Sequence, residues 1–373
     1  MTTVLAQTFT SHVPGSDEVV AEFPLMGQTE VGDVVARARA ASAWWQDLGF
    51  DGRKKHLDAW RAHIANHLPE LADLIHRENG KPPGDAQLEW IISVDHIAWA
   101  TKNAKRVLSQ RRIPAGLLMA NQTAYLEYQP LGVIGVIGPW NYPLLTPMGS
   151  IAYALAAGNC VVFKPSEYTP AVGQWLVDSW AAAVPEGKDV FLLVTGMGET
   201  GAALCRSGVD KISFTGSAKT GRRVMATCAE TLTPVLMECG GKDAMIVDDD
   251  ANLEAAADAA IWSAMANAGQ TCVGIERVYV TEKAYDGLLA KLAQKAAKLT
   301  PGTSYGHITM PSQALIIQEH IADALARGGT AVAGGEVDGT LVQPTVLIDV
   351  PEDSLAVQEE TFGPTLTVTK VKD

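Results

Sequence analysis

Cysteine is scarce in this sequence, and long apolar runs are missing. The five cysteines among 373 residues show no paired spacing. An odd count without regular spacing is a poor disulfide framework and indicates a reducing compartment. No apolar run approaches the roughly 20 residues that a membrane-spanning helix needs, and the N-terminus lacks the basic start and apolar core of a signal peptide. We therefore predict a cytoplasmic protein.

Positive charge is also in short supply. The chain carries 29 lysines and arginines against 42 aspartates and glutamates, a net charge of -13. Nucleic acids and anionic membranes attract basic surfaces, so we expect neither as a partner. Hydrophobic residues make up 47% and charged residues 19%, which is typical of a globular protein. At about 150 residues per domain, the length indicates two to three domains.

The chain changes its pattern along its length. Residues 30–110 are predicted to be helical, with apolar residues at helical spacing and Pro69 at the start of a second helix. Residues 119–130 favour an extended or hairpin segment. From Leu131, short β-branched runs alternate with helical runs, which predicts parallel βαβ units. A second α/β block begins near Gly240.

Two segments at predicted strand ends are typical of nucleotide sites. In FTGSAKTG, Gly216 permits a tight turn and Ser217 precedes a helix whose N-terminus attracts phosphate; the alternative is an ordinary βα turn. In KPSE, Lys164 and Glu167 follow an apolar strand and could contact ribose hydroxyls; the alternative is a solvated strand end. A carboxylate there would repel a 2′-phosphate, which favours NAD over NADP.

Two further segments carry groups that could assist a nucleophile. In GPWNYP, two prolines bracket Asn141, whose amide could stabilise an oxyanion if it is held rigidly; the alternative is a stiff structural loop. In LMECGGKD, Glu238 ends an apolar strand, where partial burial would raise its pKa towards that of a general base. The alternative is a paired structural carboxylate.

The candidate nucleophile is Cys272 in NAGQTCVG. A helix over residues 251–267 leads to it, and Gly269 fits the C-cap of that helix. Nucleophilic thiols favour such polar turns, whereas a buried cysteine usually acts as a small hydrophobe. We interpret Cys160, Cys205 and Cys228 in the second way. A cysteine hydrolase is an alternative, but no histidine lies near Cys272 in the sequence.

With these segments in this order, the chain resembles the aldehyde dehydrogenase superfamily. PWNYP, KPSEYTP, FTGSAKTG, MECGGKD, GQTCVG and the later EETFGP all follow the order of the family. The resemblance implies a hydrolytic, NAD-dependent enzyme that oxidises a small aldehyde, with no metal. It implies a catalytic set of Cys272, Glu238 and Asn141. It also implies a cofactor set of Trp140, Lys164, Ser166, Glu167, Gly198, Gly216, Ser217, Gly221, Glu360 and Phe362.

The resemblance also implies a domain plan. It predicts a Rossmann-like NAD-binding domain over 1–115 and 131–239, an oligomerisation hairpin over 116–130 and an α/β catalytic domain over 240–373. Family members continue beyond EETFGP, so we expect the C-terminus to be truncated and the homo-oligomer of the family to be weakened. The alternative function is therefore a non-catalytic homologue that binds only a nucleotide or a partner.

Overall fold

A computed structural model describes residues 7–372 of the chain. They divide into two compact units. The first comprises the residues up to 11, 21–72 and 87–238, and the second comprises 12–20, 73–86 and the chain from 239 onwards. A five-stranded sheet lies in each unit. The predicted α/β class with parallel sheets is confirmed.

The N-terminal part is mainly helical, as predicted. Strands β1 (Thr8–His12) and β2 (Val19–Pro24) form a two-stranded ribbon. Four helices follow: α1 (Gln28–Asp47), α2 (Gly49–Asn66), α3 (Leu68–Asn79) and α4 (Pro83–Leu108). Among all helices in the described part of the chain, none is long and apolar enough to cross a membrane.

A short hairpin follows α4. Strand β3 (Arg111–Ile113) pairs antiparallel with β4 (Ala124–Leu126), and a 3₁₀ turn at Leu117–Met119 lies between them. Leu117 and Leu118 at its tip are 92% and 96% exposed. Its role in oligomerisation stays a prediction.

The sheet of the first unit is entirely parallel. Its strands are β5 (Val133–Ile137), β6 (Cys160–Lys164), β7 (Phe191–Leu193), β8 (Lys211–Thr215) and β9 (Val235–Glu238), in the order β7-β6-β5-β8-β9. The connections run through α5 (Leu145–Ala156), α6 (Pro170–Ala183), α7 (Gly198–Arg206) and α8 (Ala218–Ala229). β5 and β6 are buried along their whole length and, apart from Lys164 at the end of β6, they carry no polar side chain and show no alternation.

Tryptophans form the centre of the core in the first unit. The fully buried rings of Trp45 and Trp60 both meet Trp180 edge to face, with centroids 5.6 and 5.4 Å apart. The indole N–H groups of Trp45 and Trp60 donate to the Leu155 carbonyl and to Ser179 Oγ. These partners offset the cost of burying the N–H groups, and they connect the aromatic core to α5 and α6.

The second unit has a mixed sheet. Its strands are β10 (Asp243–Val247), β11 (Ile275–Thr281), β12 (Thr330–Ala333), β15 (Thr345–Ile348) and β16 (Thr365–Val371), and a separate ribbon contains β13 (Val337–Asp338) and β14 (Leu341–Val342). The order is β10-β11-β16-β15-β12, and only β12 is antiparallel to its neighbour. The helices are α9 (Leu253–Met265), α10 (Glu282–Ala296), α11 (Pro311–Ala326) and α12 (Leu355–Gln358).

Candidate active site

The sheet of the first unit brings many of the predicted residues to one edge. The chain passes from β5 through β6 to β7 on one side and returns through β8 to β9 on the other, so its direction reverses beside β5. Open α/β sheets bind ligands beyond the carboxyl ends of their strands at such a reversal. The residues at these strand ends and in the following loops and helices are Trp140, Asn141, Lys164, Ser166, Glu167, Gly198, Gly216, Ser217, Gly221 and Glu238.

The loop between β5 and α5 holds Asn141 in a fixed setting. The Asn141 side chain is buried, and prolines stand two residues to either side of it. The carboxylate of Glu89, a residue that is 1% exposed, accepts the backbone N–H groups of Leu144 and Leu145 at 2.8 and 3.0 Å. Glu89 thus caps the start of α5 and anchors the loop three residues after Asn141.

Removing the Glu89 carboxylate should therefore disturb this loop. We expect Glu89→Ala to lower the free energy of unfolding by about 2–4 kcal/mol, because one buried and one partly buried N–H group lose their acceptor. Aldehyde oxidation should fall about tenfold or more because Asn141 is less well positioned. Urea unfolding and steady-state kinetics measure the two effects. Asp95→Ala, an exposed carboxylate on the same helix, is the matched control, and equal losses in both variants would contradict the capping role.

The end of β6 carries a buried cation. The Lys164 ammonium donates to the Pro165 carbonyl at 2.8 Å. Burial lowers the pKa of Lys164, and the negative charge of Glu167 opposes that shift. The Ser166 hydroxyl lies 3.4 Å from Glu167 Oε2. A lysine, a hydroxyl and a carboxylate therefore lie together at this strand end, as the KPSE segment predicts.

The turn after β8 leads directly into a helix. Ser217 is the N-cap of α8, and its hydroxyl accepts the Thr220 N–H at 3.2 Å. Gly216 donates its N–H to the Glu238 carbonyl at 3.0 Å, and a Cβ at Gly216 would lie 2.8 Å from the Phe214 ring. At the start of α7, a Cβ at Gly198 would meet no atom within 4 Å. Two helix N-termini, with their partial positive charge, thus begin at this edge.

The expectation that Glu238 is partly buried is wrong. The residue is exposed, and burial along β9 alternates between partly buried and exposed. The reason lies in the strand order, because β9 is the outer strand of its sheet. A general-base role for Glu238 must therefore rest on its place at the strand end and not on desolvation.

Cys272 in the second unit follows a strained turn. Asn267, Ala268 and Gly269 have φ angles of +52°, +56° and +71°, which is a costly conformation for the first two. The buried Gln270 stabilises it, since its amide donates to the Asn267 carbonyl at 2.9 Å and accepts the Thr309 N–H at 2.8 Å. Cys272 itself is partly exposed.

The other cysteines differ from Cys272 in their surroundings. Cys160, Cys205 and Cys228 are buried, as predicted. Burial raises the pKa of Cys160 to about 11 and that of Cys205 to about 12, so both thiols stay protonated at neutral pH. Cys239 and Cys272 are the two partly exposed thiols, and only Cys272 follows the strained turn.

Glu360 and Phe362 lie in another loop of the second unit, and Phe362 has a φ of +53°. The Glu360 carboxylate lies against a glycine turn: it accepts the Gly241 N–H at 3.4 Å, and a Cβ at Gly240 would lie 2.4 Å from Glu360 Oε1. Burial, and then the charge of Glu276, raise the pKa of Glu360 to about 7.

Two buried charged residues behind this loop were not predicted from the sequence. Lys242 and Glu276 form an ion pair, and Glu276 accepts backbone N–H groups of the loop. A glutamate in the apolar run IERVYV and a lysine directly after two glycines were the available signals. Neither signal identifies the partner, because the two residues are far apart in the sequence.

Comparison with known proteins identifies the class. The model of the aldehyde dehydrogenase family matches residues 3–373. The chain is 36% identical to the 4,4'-diapolycopene aldehyde oxidase of a Methylomonas species, covering 100% of this chain and 70% of that protein. It is 35% identical to the glutarate-semialdehyde dehydrogenase of Pseudomonas aeruginosa, covering 98% of this chain and 77% of that protein.

Solved structures agree with these matches. The lactaldehyde dehydrogenase of Escherichia coli superimposes with a TM-score of 0.94 at 30% identity, over 99% of this chain and 79% of that one. The NAD⁺ complex of an aldehyde dehydrogenase from Bacillus cereus gives a TM-score of 0.93 at 30% identity, over 98% and 77%. The chain therefore belongs to the aldehyde dehydrogenase family. It is an oxidoreductase that acts on aldehydes with a nicotinamide dinucleotide.

Proposed function

We propose that this protein oxidises an aldehyde to a carboxylate with NAD, through a thioester on Cys272 that water hydrolyses. The observation that carries the proposal is the setting of Cys272. It is a partly exposed thiol after three left-handed residues that buried amides stabilise. Strain held in place by the surrounding structure is typical of functional sites.

The residues present fit a dinucleotide. Two helix N-termini begin after β7 and β8 in the first unit, and such ends suit a pyrophosphate. Lys164, Ser166 and Glu167 would hold the adenosine ribose. Glu360 would accept hydrogen bonds from the other ribose, with Phe362 beside it. When bound, the cofactor supplies the hydride acceptor.

The side chains then have distinct tasks. The Cys272 thiolate adds to the aldehyde carbon, and the Asn141 amide donates to the oxygen that becomes negative. After hydride has left, the acyl group is a thioester on the Cys272 sulfur. Glu238 takes a proton from the attacking water, the carbon–sulfur bond breaks and the thiolate is regenerated. Its exposed position at the strand end gives Glu238 access to water.

The choice of NAD over NADP rests on Glu167. Its carboxylate, beside the Lys164 and Ser166 positions, would repel a 2′-phosphate. Relatives differ here, since a similar Escherichia coli enzyme, 36% identical over 96% of this chain and 76% of its own, is named as an NADP-dependent succinate-semialdehyde dehydrogenase. Rates with both dinucleotides decide the matter, and a preference for NADP would overturn this assignment.

The role of Glu238 gives a specific kinetic result. We expect Glu238→Gln to release a burst of about one equivalent of NADH per active site and then to turn over 10²–10⁴-fold more slowly, because the thioester forms but is hydrolysed without a base. Stopped-flow absorbance of NADH measures both phases. Glu282→Gln, which changes an exposed carboxylate directly after strand β11, should behave like the wild type. Steady turnover in Glu238→Gln would show that another group deprotonates the water.

The overall proposal is tested with the purified, reduced chain and simple aldehydes. NADH and carboxylate should form in equal amounts. Dinucleotide binding without any turnover would support the alternative of a non-catalytic homologue. Aldehyde-independent ester hydrolysis that is faster than oxidation would support a cysteine hydrolase.

A further inference from the structure

A buried ion pair in the second unit has no role in the proposed chemistry. Lys242 pairs with Glu276, and their side chains are 8% and 6% exposed. Burying two charges costs so much hydration that apolar residues of similar volume often stabilise a fold equally well. The pair therefore calls for an explanation other than stability.

Both members of the pair contact the same short loop. Glu276 Oε2 accepts the Thr361 N–H at 2.9 Å, and Glu276 Oε1 accepts the Phe362 N–H at 2.8 Å. The Lys242 ammonium donates to the Thr361 hydroxyl at 3.1 Å as well as to Glu276. Each oxygen of the Glu276 carboxylate thus accepts one backbone N–H group of the loop. Lys242 balances the negative charge of that carboxylate.

Helix α11 holds the loop through a different set of contacts. Gln313 donates to the Thr361 carbonyl at 2.8 Å, and His320 Nδ1 lies 3.1 Å from the Thr361 hydroxyl. A Cβ at Gly363 would lie 2.5 Å from Ile317 Cδ1. The pair and the helix together restrain Thr361 and the residue after it, which explains how Phe362 is kept at a φ of +53°.

The pair is also adjacent in sequence to the glycine turn that the Glu360 carboxylate contacts. Lys242 directly follows Gly240 and Gly241, the turn against which the Glu360 carboxylate packs. Glu360 itself directly precedes Thr361. The Lys242–Glu276 pair therefore connects the loop that carries Glu360 to the glycine turn that the Glu360 carboxylate contacts.

We propose that the Lys242–Glu276 pair positions Glu360 for the nicotinamide ribose and so sets the affinity for the dinucleotide. Neither residue is a catalytic residue; both act through the loop. The inference rests on the proposed function, in which Glu360 binds that ribose. It assigns the pair a role in binding that is separable from its role in folding.

A double-variant cycle separates these two roles. Lys242→Met and Glu276→Leu each leave one buried charge without its partner, so each should lower the urea midpoint clearly. The double variant removes both charges and should recover most of that loss. The loop N–H groups still lack their acceptor, so the dissociation constant for NAD should stay raised about tenfold to hundredfold. Quenching of tryptophan fluorescence by NAD, without aldehyde, measures that constant independently of turnover.

Two controls make the outcome decisive. The double variant Lys291→Met/Glu254→Leu removes the surface ion pairs that Glu254 forms with Lys291 and Lys295 in the same unit and should leave NAD affinity unchanged. Glu276→Gln keeps one acceptor oxygen and should give an intermediate affinity, which provides a second measurement if the double variant fails to fold.

The results that would overturn the proposal are distinct. Wild-type NAD affinity in the double variant, or in Glu276→Gln if the double variant does not fold, would show that the pair is only structural. A wild-type chain that binds no dinucleotide would instead overturn the proposed function. Unchanged affinity in Glu360→Gln would overturn the ribose contact assigned to Glu360, and the positioning role with it, while leaving the oxidation of aldehydes through Cys272 untouched. Raised dissociation constants with a recovered urea midpoint would support the proposal.

Discussion

Cys272→Ala should abolish aldehyde oxidation, with a fall in rate on the order of 10⁴-fold or more, because no other group would form the covalent bond to the aldehyde carbon. Binding of NAD should persist, since the residues assigned to the dinucleotide are unchanged. NADH absorbance measures the loss of turnover, and fluorescence titration measures the retained affinity. Mass spectrometry of the wild type with excess aldehyde and NAD should find the acyl group on Cys272.

The matched control is Cys239→Ala. Cys239 is the other partly exposed thiol of the described chain, so it tests whether exposure alone selects the nucleophile. We expect this variant to oxidise aldehydes at close to the wild-type rate. Loss of turnover in Cys239→Ala with full activity in Cys272→Ala would assign the nucleophile to position 239. That outcome would also remove the strained turn at Asn267 to Gly269 from the mechanism.

Local sequence patterns predicted correctly that several candidate residues lie at strand ends of the first unit. A short apolar run followed by glycine or proline predicts a buried parallel strand that ends in a turn, and Lys164, Gly216 and Glu238 all lie at or beside such ends. Parallel strands of one sheet end at the same edge. The strand pattern alone therefore predicts that these residues lie at one edge. The alternation of strands and helices therefore determines most of the arrangement in the first unit.

Features that depend on strand order or on distant partners were not predictable in the same way. The exposure of Glu238 follows from the place of β9 at the side of the sheet, which the local pattern does not specify. Glu89 and Glu276 accept backbone N–H groups from residues that are distant in sequence. The local sequence around a buried carboxylate of this kind does not differ from that around a carboxylate on a solvated helix or strand. Only the folded chain distinguishes the two.

Gly269→Ala should be among the most destabilising single substitutions in the second unit. An added Cβ would lie 2.0 Å from the Gly363 carbonyl oxygen, and Gly269 has a φ of +71°. A backbone carbonyl cannot rotate away as a side chain can. We expect a loss of about 3–5 kcal/mol in the free energy of unfolding, measured in urea, from conformational strain and steric overlap together. Dinucleotide affinity should fall with it, because Gly363 belongs to the same loop as Glu360.

Gly339→Ala separates strain from overlap. Gly339 lies in the same unit with a φ of +58°, and a Cβ there would meet no atom within 4 Å. It should therefore show only the conformational cost, about 1–2 kcal/mol. The difference between the two losses in unfolding free energy measures the cost of steric overlap between the turn that precedes Cys272 and the loop that follows Glu360. Equal losses would mean that this contact contributes nothing, and that the two segments keep their geometry independently of each other.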